Sequence, residues 1–276
     1  MPARSRRCAT PGRRRDRDEA RIVSFYEPLG EGRFRSTPHT RGPWDPGFQH
    51  AGPPSALLGR AVERCEPRDG FVIARTTFEI LRAVPVADVR VSVRVARPGR
   101  SVELLEGELT VEDEPVMTVR AWRVKASSAP DAGRDDKAPP RPDQADEPPP
   151  GLDGFGYGRA VELRFAAGGW GQLRPATVWT RLLQPIVPGE EPTGVQRVLA
   201  VADSGNGVSA VLDWDAWLFI NTELTVHFLR PPRGEWICLD AETSIASGGA
   251  GLARSVLSDD DGVVAQGAQA LLVAPR

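Results

Sequence analysis

Val89, Val91, Val93 and Val95 alternate with Arg90, Ser92 and Arg94. That strict period of two predicts a half-buried β-strand. Residues 101–111 and 116–124 read as two more strands, separated by the acidic turn Glu112-Asp113-Glu114. Ahead of them the period changes. Pro53 and Pro54 open a block in which Ala56, Leu57, Leu58, Ala61, Val62 and Cys65 cover well over half of a helical circumference. Proline is favoured in a first helical turn, where its missing N–H would be unpaired anyway. The pattern predicts a deeply enclosed helix followed by a run of long strands.

The same order then recurs. Thr193 is a suitable N-cap for a second apolar helix over residues 195–202. Strands are predicted at 222–229, 235–245, 252–257 and 263–273, with turn-forming residues at 231–234, 247–251 and 259–262. Even the entry to the strands repeats, as Leu81-Arg82 in the first half and Leu229-Arg230 in the second. An α+β fold follows, in which two tandem copies of a long antiparallel sheet each wrap a central helix after an internal duplication. Residues 126–150 hold seven prolines, nine charges and no Leu, Ile, Val or aromatic residue. Such a stretch buries too little surface to offset its ordering entropy, so it is expected to be a linker between 21–125 and 151–276. Residues 1–20, with seven arginines and no aromatic, are expected to be a disordered leader.

Charge and composition exclude several roles. The 276 residues carry 35 basic and 37 acidic side chains, a net charge of −2, which argues against nucleic acid as the main partner. The longest apolar run, about residues 216–220, is far short of the ~20 residues of a spanning helix. No apolar segment of the kind a secretory signal needs follows the start. Cys8, Cys65 and Cys238 are lone cysteines without CxxC spacing, which points to a reducing, cytoplasmic setting.

Familiar catalytic motifs are missing. No GxSxG elbow or Walker sequence occurs, and Gly205-Asn206-Gly207 follows a helix rather than a strand. His39, His50 and His227 are the only histidines, none at helical ligand spacing from another, so no metal or other cofactor is expected. Asp203 stands out, in the last turn of the second helix before Ser204-Gly205-Asn206-Gly207. Asp, Asn and Gly suit a plain helix ending, but an acid there opposes the helix dipole.

The segments His50-Ala51-Gly52-Pro53-Pro54-Ser55-Ala56-Leu57-Leu58, Ala202-Asp203-Ser204-Gly205-Asn206-Gly207, Asn221-Thr222-Glu223-Leu224-Thr225-Val226-His227-Phe228 and Arg230-Pro231-Pro232-Arg233-Gly234-Glu235-Trp236 together resemble the acyl-CoA thioesterase-like family. That resemblance covers the chain from about residue 21 to its last residue, the linker aside. It implies a double-hotdog fold, an acyl-CoA substrate and hydrolysis by water held between an Asp, a Thr and a Gln of the second hotdog. Asp203 matches the Asp and Gln269 the Gln. Aligning on Phe228-Leu229-Arg230-Pro231 puts Asn221 at the Thr position with Thr222 next to it. Adjacent strand residues face opposite ways, so one of the two faces the site, and Asn221 is favoured. Ala51 stands where the family often has Gly.

On this reading Asp203 is the general base, with Gln269 and Asn221 or Thr222 fixing the water. Gly52, at the positive end of the first helix, is the candidate oxyanion donor, and His50 beside it is a candidate for the carbonyl or the CoA. Trp214 and Trp217 either line the acyl tunnel or simply pack. The first half places Cys65 near the Asp position, Ile73 and Ala74 opposite Asn221 and Thr222, and Trp122 opposite Gln269. None of these activates water, so one site per chain is expected. A non-catalytic acyl-CoA or acyl-chain binding protein is the main alternative. A hydratase or dehydratase ranks lower, because it needs an Asp–His pair and no histidine is near Asp203 in the sequence. A homodimer of double hotdogs is the expected assembly.

Overall fold

Ahead of its central helix, each half of the molecule carries a hairpin that is absent from the expected elements. In the computed structural model, which describes residues 24–128, 138–143 and 151–276, β1 (Tyr26–Gly30) pairs with β2 (Arg33–Ser36). Helix α1 (Gly52–Arg64) follows, then β3 (Phe71–Ile80), β4 (Asp88–Arg97), β5 (Val102–Val111) and β6 (Glu114–Lys125). A one-turn helix, α2 (Gly156–Arg159), opens the second half. It leads to the hairpin β7 (Val161–Ala167) and β8 (Ala176–Leu182), helix α3 (Gly194–Ala202) and the short α4 (Gly205–Val208). The half closes with β9 (Trp217–Asn221), β10 (Glu223–Phe228), β11 (Trp236–Ile245), β12 (Ala250–Asp259) and β13 (Gly262–Pro275). β1 and β7 are the two edges of the sheet; β1 contains Pro28 and β2 is only Arg-Phe-Arg-Ser. The expected leader lies outside the described residues.

The antiparallel sheet runs β1-β2-β4-β5-β6-β3-β10-β13-β12-β11-β8-β7, with β9 also on β13. Counted outward from the centre, the two halves have matching strand order. The double hotdog is therefore pseudo-symmetric, and its axis can be located. Thr77 of β3 pairs with Thr225 of β10, and their hydroxyls lie 3.2 Å apart across a separation of 148 residues. Leu81 and Leu229 have that same separation. The register of β3 on β6 shifts at Ala74. Correspondingly, the pairing on β13 shifts by one between Asn221 and Thr225, at the break between β9 and β10. A bulge at the same place in both halves turns the strand and re-aims the side chains beside it.

The core lies where the sheet encloses α1 and α3, which pack on each other. Ala56, Leu57, Leu58 and Val62 of α1 and Val198, Leu199 and Ala200 of α3 are fully buried. Each large side chain contributes about 1.5–3 kcal/mol by leaving water. The crossing is close. A Cβ on Gly59 would lie 2.4 Å from Leu199 Cδ1, and one on Gly52 2.3 Å from the Ala200 carbonyl.

Part of the expected linker is a packed strap. Trp179 Nε1 donates to the Pro139 carbonyl at 3.0 Å, and the Arg141 guanidinium sits 4.9 Å from the Trp236 ring. Arg164 donates to the carbonyls of Pro142 and Asp143. The segment has little apolar surface of its own, but the outer face of β8 and β11 supplies two indoles for it to cover. Residues 129–137 and 144–150 of the expected linker lie outside the described residues.

Candidate active site

Asp203 caps the C-terminus of α3, and only 4% of its side chain is exposed. A buried acid at the negative end of a helix needs donors, and three side chains surround it. Asn221 Nδ2 donates to Oδ1 at 2.8 Å, with Gln269 Nε2 at 3.4 Å from the same atom. His50 Nδ1, from the first half, stands 3.0 Å from Oδ2. Asn221 is the last residue of β9, just before the bulge, and the bulge decides between the two strand candidates. Asn221 reaches Asp203, whereas Thr222 is exposed and its hydroxyl lies on the Ala270 carbonyl at 3.3 Å.

Gln269 is placed differently from a water ligand. Its Nε2 donates to the Asp203 carbonyl at 3.1 Å, and its Oε1 accepts the Asn206 backbone N–H at 3.1 Å. With 1% of the residue exposed, it ties the end of α3 to the start of α4. Gly205 allows this, because a Cβ there would lie 2.7 Å from Gln269 Oε1 and 2.8 Å from Ser255 Oγ.

His50 lies on the loop before α1, its ring stacked on Tyr157 with centroids 3.9 Å apart and planes 8° from parallel. Tyr157, on α2, is fixed in turn by donating to the Ala200 carbonyl at 2.9 Å. His50 Nδ1 is also 3.0 Å from the Gly52 N–H, so it faces a donor and an acceptor and satisfies one of them. A charge-assisted bond is about twice as strong as a neutral one, and no other side chain donates to Asp203 Oδ2 among the described residues. A proton on Nδ1 toward Asp203 would leave a lone pair on Nε2, whereas the hydrogen bond present at Nδ1 is the one it accepts from the Gly52 N–H. Burial pushes the His50 pKa below its ordinary 6.5, against the opposing pull of Asp203. The ring is neutral at pH 7.

This pair corrects the sequence-based ranking of the alternatives. Asp203 does have a histidine partner, carried by the other half of the chain, where sequence distance conceals it. Tyr157 was missed as well. Its signal is local: Gly156 and Gly158 flank it, and a Cβ on either would lie within 2 Å of a carbonyl oxygen, of Pro38 and Leu152 respectively. Gly52 is required by the helix crossing and its N–H points at His50; Pro53 and Pro54 after it have no N–H. Ala51 takes right-handed helical angles, φ −74° and ψ −8°, which an alanine adopts freely.

A cavity of about 330 Å3 opens beside the pair. His50, Ala51, Asp203 and Asn221 line it, and most of the rest is apolar, with Trp44, Phe155, Trp170 and Trp214 prominent. Trp217 is not part of its lining. Among the described residues no group of three or more His, Cys, Asp or Glu side chains is placed to hold a metal, and no helix is long and apolar enough to cross a membrane.

Comparisons with known proteins agree on the family. Residues 40–124 match the acyl-CoA thioesterase N-terminal domain and residues 133–273 the acyl-CoA thioesterase C-terminal domain. Among solved structures, acyl-CoA thioesterase II TesB2 from Mycobacterium marinum superimposes with a TM-score of 0.65 at 17% identity, covering 91% of this chain and 95% of its own. A conserved hot dog-fold protein of unknown function from Alicyclobacillus acidocaldarius gives a TM-score of 0.68 at 17% identity, covering 93% and 97%. The tesB protein of Mycobacterium avium subs paratuberculosis gives 0.62 at 16%, covering 91% and 96%. At these identities the likeness shows the fold alone. No curated protein matches the chain.

Proposed function

The chain belongs to the acyl-CoA thioesterase family, and on that premise we propose that it hydrolyses an acyl-CoA to the free acid and CoA at the Asp203–His50 pair. The observation that carries this reading is the meeting of Asp203, His50 and Asn221 at an apolar cavity, with each half of the chain contributing. Water bound beside the pair gives its proton to His50 Nε2 as its oxygen bonds to the thioester carbon. Asp203 holds the ring in the right tautomer and stabilises the cation formed, and Asn221 fixes the carboxylate. The first turn of α1 has no free N–H for the developing oxyanion at Gly52, Pro53 or Pro54, so α1 contributes there through its dipole alone. Collapse of the tetrahedral adduct breaks the C–S bond, and the His50 proton goes to the sulfur. Asp203 thus activates water through His50, a change from direct proton abstraction by the carboxylate.

A thiol-release assay over acyl-CoAs of two to eighteen carbons tests the reading. Release that falls a hundredfold or more in Asp203→Asn supports it. Tight binding without release would favour the non-catalytic acyl-CoA binding protein. The Asp–His pair itself favours a second reading, a hydratase adding water across a 2-enoyl-CoA double bond. Loss of enoyl absorbance with no free thiol would select it.

A further inference from the structure

The cavity beside Asp203 carries a row of stacked rings contributed by separate segments of the chain. Trp44, on the loop before α1, stacks on Trp214, between α4 and β9, with centroids 4.5 Å apart. Trp214 continues to Trp170, in the β7–β8 loop, at 5.8 Å, and Trp170 to Phe155 at 6.0 Å. The Trp44–Trp214 pair is braced from two sides. Buried Phe219 meets both indoles edge-on, at 5.0 and 4.7 Å. Arg276 donates to the backbone carbonyls of Trp214 at 2.8 Å and Trp44 at 3.3 Å, with its guanidinium 5.8 Å from the Trp44 ring. Indoles held in this way form a rigid boundary to the cavity rather than a deformable lining.

We infer that this row is a size filter, and that the site takes acyl groups of up to about ten carbons and rejects long chains. The inference rests on the thioesterase reading of the same site. At about 30 Å3 per water-sized group, the cavity of about 330 Å3 accepts roughly eleven non-hydrogen atoms, which is a decanoyl group with its carbonyl oxygen. A palmitoyl group has seventeen. Its surplus methylenes either stay in water and forfeit their burial gain or displace the braced indoles.

The test pairs turnover with binding. Octanoyl-CoA and palmitoyl-CoA are compared for thiol release by the wild-type protein, and for binding to Asp203→Asn by quenching of tryptophan fluorescence. The filter predicts at least tenfold better turnover and binding of the octanoyl thioester. Trp214→Ala, and independently the milder Trp44→Leu, should raise the palmitoyl-to-octanoyl ratio at least tenfold by opening the boundary. Equal wild-type preference for the two thioesters overturns the inference, as does a ratio unmoved in both variants when each remains folded by circular dichroism. An octanoyl preference in binding with no thiol release from any acyl-CoA would uphold the filter and remove the thioesterase reading, so the two fail separately.

Discussion

At the C-terminus of α1, Arg123 donates to the carbonyls of Cys65 and Glu66 at 3.0 and 3.2 Å. At the C-terminus of α3, Gln269 donates to the carbonyl of Asp203 at 3.1 Å. Both helices thus have their last carbonyls held by a side chain from the strand beside the central pair, as a buried helix end requires. The rest differs. Arg123 also forms a 2.6 Å ion pair with Glu103, both almost wholly buried, and Glu103 pairs with Arg68 at 2.8 Å. Ile73 stands at the Asn221 position and Cys65 at the Asp203 position, each a group with no role in moving a proton from water. A cleft of about 290 Å3 survives there, with Arg68, Arg123 and Arg230 in its walls. One duplicated framework has become a closed ionic lock in one half and, in the other, a buried carboxylate that lines a cavity. Capping the helix is the shared structural demand, and the chemistry rests on what else occupies the cap.

The largest expected effect comes from breaking the lock. Arg123→Ala leaves Glu103 buried beside a half-exposed Arg68 and strips two carbonyls of their donor. Removing one partner of a buried pair costs about 3–5 kcal/mol, to be read from denaturant unfolding. The comparison predicts that kcat of the folded fraction changes less than threefold, because Arg123 acts at the opposite end of α1 from His50. A proportionate loss of kcat would mean that the two ends are not separate in function.

The mirror-image change is Asp203→Asn. Here the hydrogen bond to the backbone survives through Gln269 while the bond from Asn221 loses its charged acceptor, so stability should fall by about 1.5–3 kcal/mol, the scale of one bond to a charged group. Thiol release should fall by about 10²–10⁴, the range for loss of general-base catalysis. Residual activity near wild type would mean that Asp203 takes no part in the chemistry.

His50 sharpens the comparison through pH. In the proposed mechanism the neutral ring is the base, and burial holds its pKa below 6.5. kcat/KM should be flat from about pH 7 upward and fall tenfold per pH unit on the acid side, with a midpoint below 6.5. Stability follows the same sign. The unfolded chain takes up this proton first as pH falls through 6.5, so the folded state loses stability there until its own lowered pKa is passed. His50→Gln should remove the limb along with most of the activity, and a limb that persists in that variant belongs to another group.

The sequence made the duplication legible because long strands and buried helices impose strong periods. The Leu81–Leu229 repeat even carries the 148-residue separation on which the pseudo-axis is centred. The hairpin β1–β2 has too few residues to express a period, whereas β7 does alternate over Val161-Glu162-Leu163-Arg164-Phe165 and was overlooked. The strap at 138–143 was hidden because its apolar partners, Trp179 and Trp236, belong to another segment. Within the site, Asp203 betrayed itself as an acid at the wrong end of a helix, whereas His50 is 153 residues from it along the chain and only the crossing of α1 and α3 joins them. Trp122 was set opposite Gln269, but the ladders place Ala121 there. Thr77 faces Arg120 as Thr225 faces Ala268, and counting one residue outward on each ladder reaches Ala121 and Gln269. Bulges and ladder registers are properties of paired strands, which one strand's sequence does not express.

The smallest effect concerns the choice between neighbours that the bulge makes. Asn221 donates to a buried carboxylate, a bond to a charged group worth about 1.5–3 kcal/mol, and part of that is recovered when the other donors close in. Asn221→Ala should therefore lower kcat by about tenfold, with KM little changed. Asn221→Thr should restore part of the rate, since a hydroxyl can donate to the same oxygen. Thr222→Ala should cost less than twofold, because its exposed hydroxyl meets only the Ala270 carbonyl. The equivalent bulge in the first half gives the control. Ala74→Thr places a hydroxyl at the dyad-related position and should change neither kcat nor the number of active sites titrated per chain. If Thr222→Ala proves the more damaging of the two strand variants, β9 and β10 meet β13 in a register one residue removed from that seen here, and the bulge is not what aims Asn221 at Asp203.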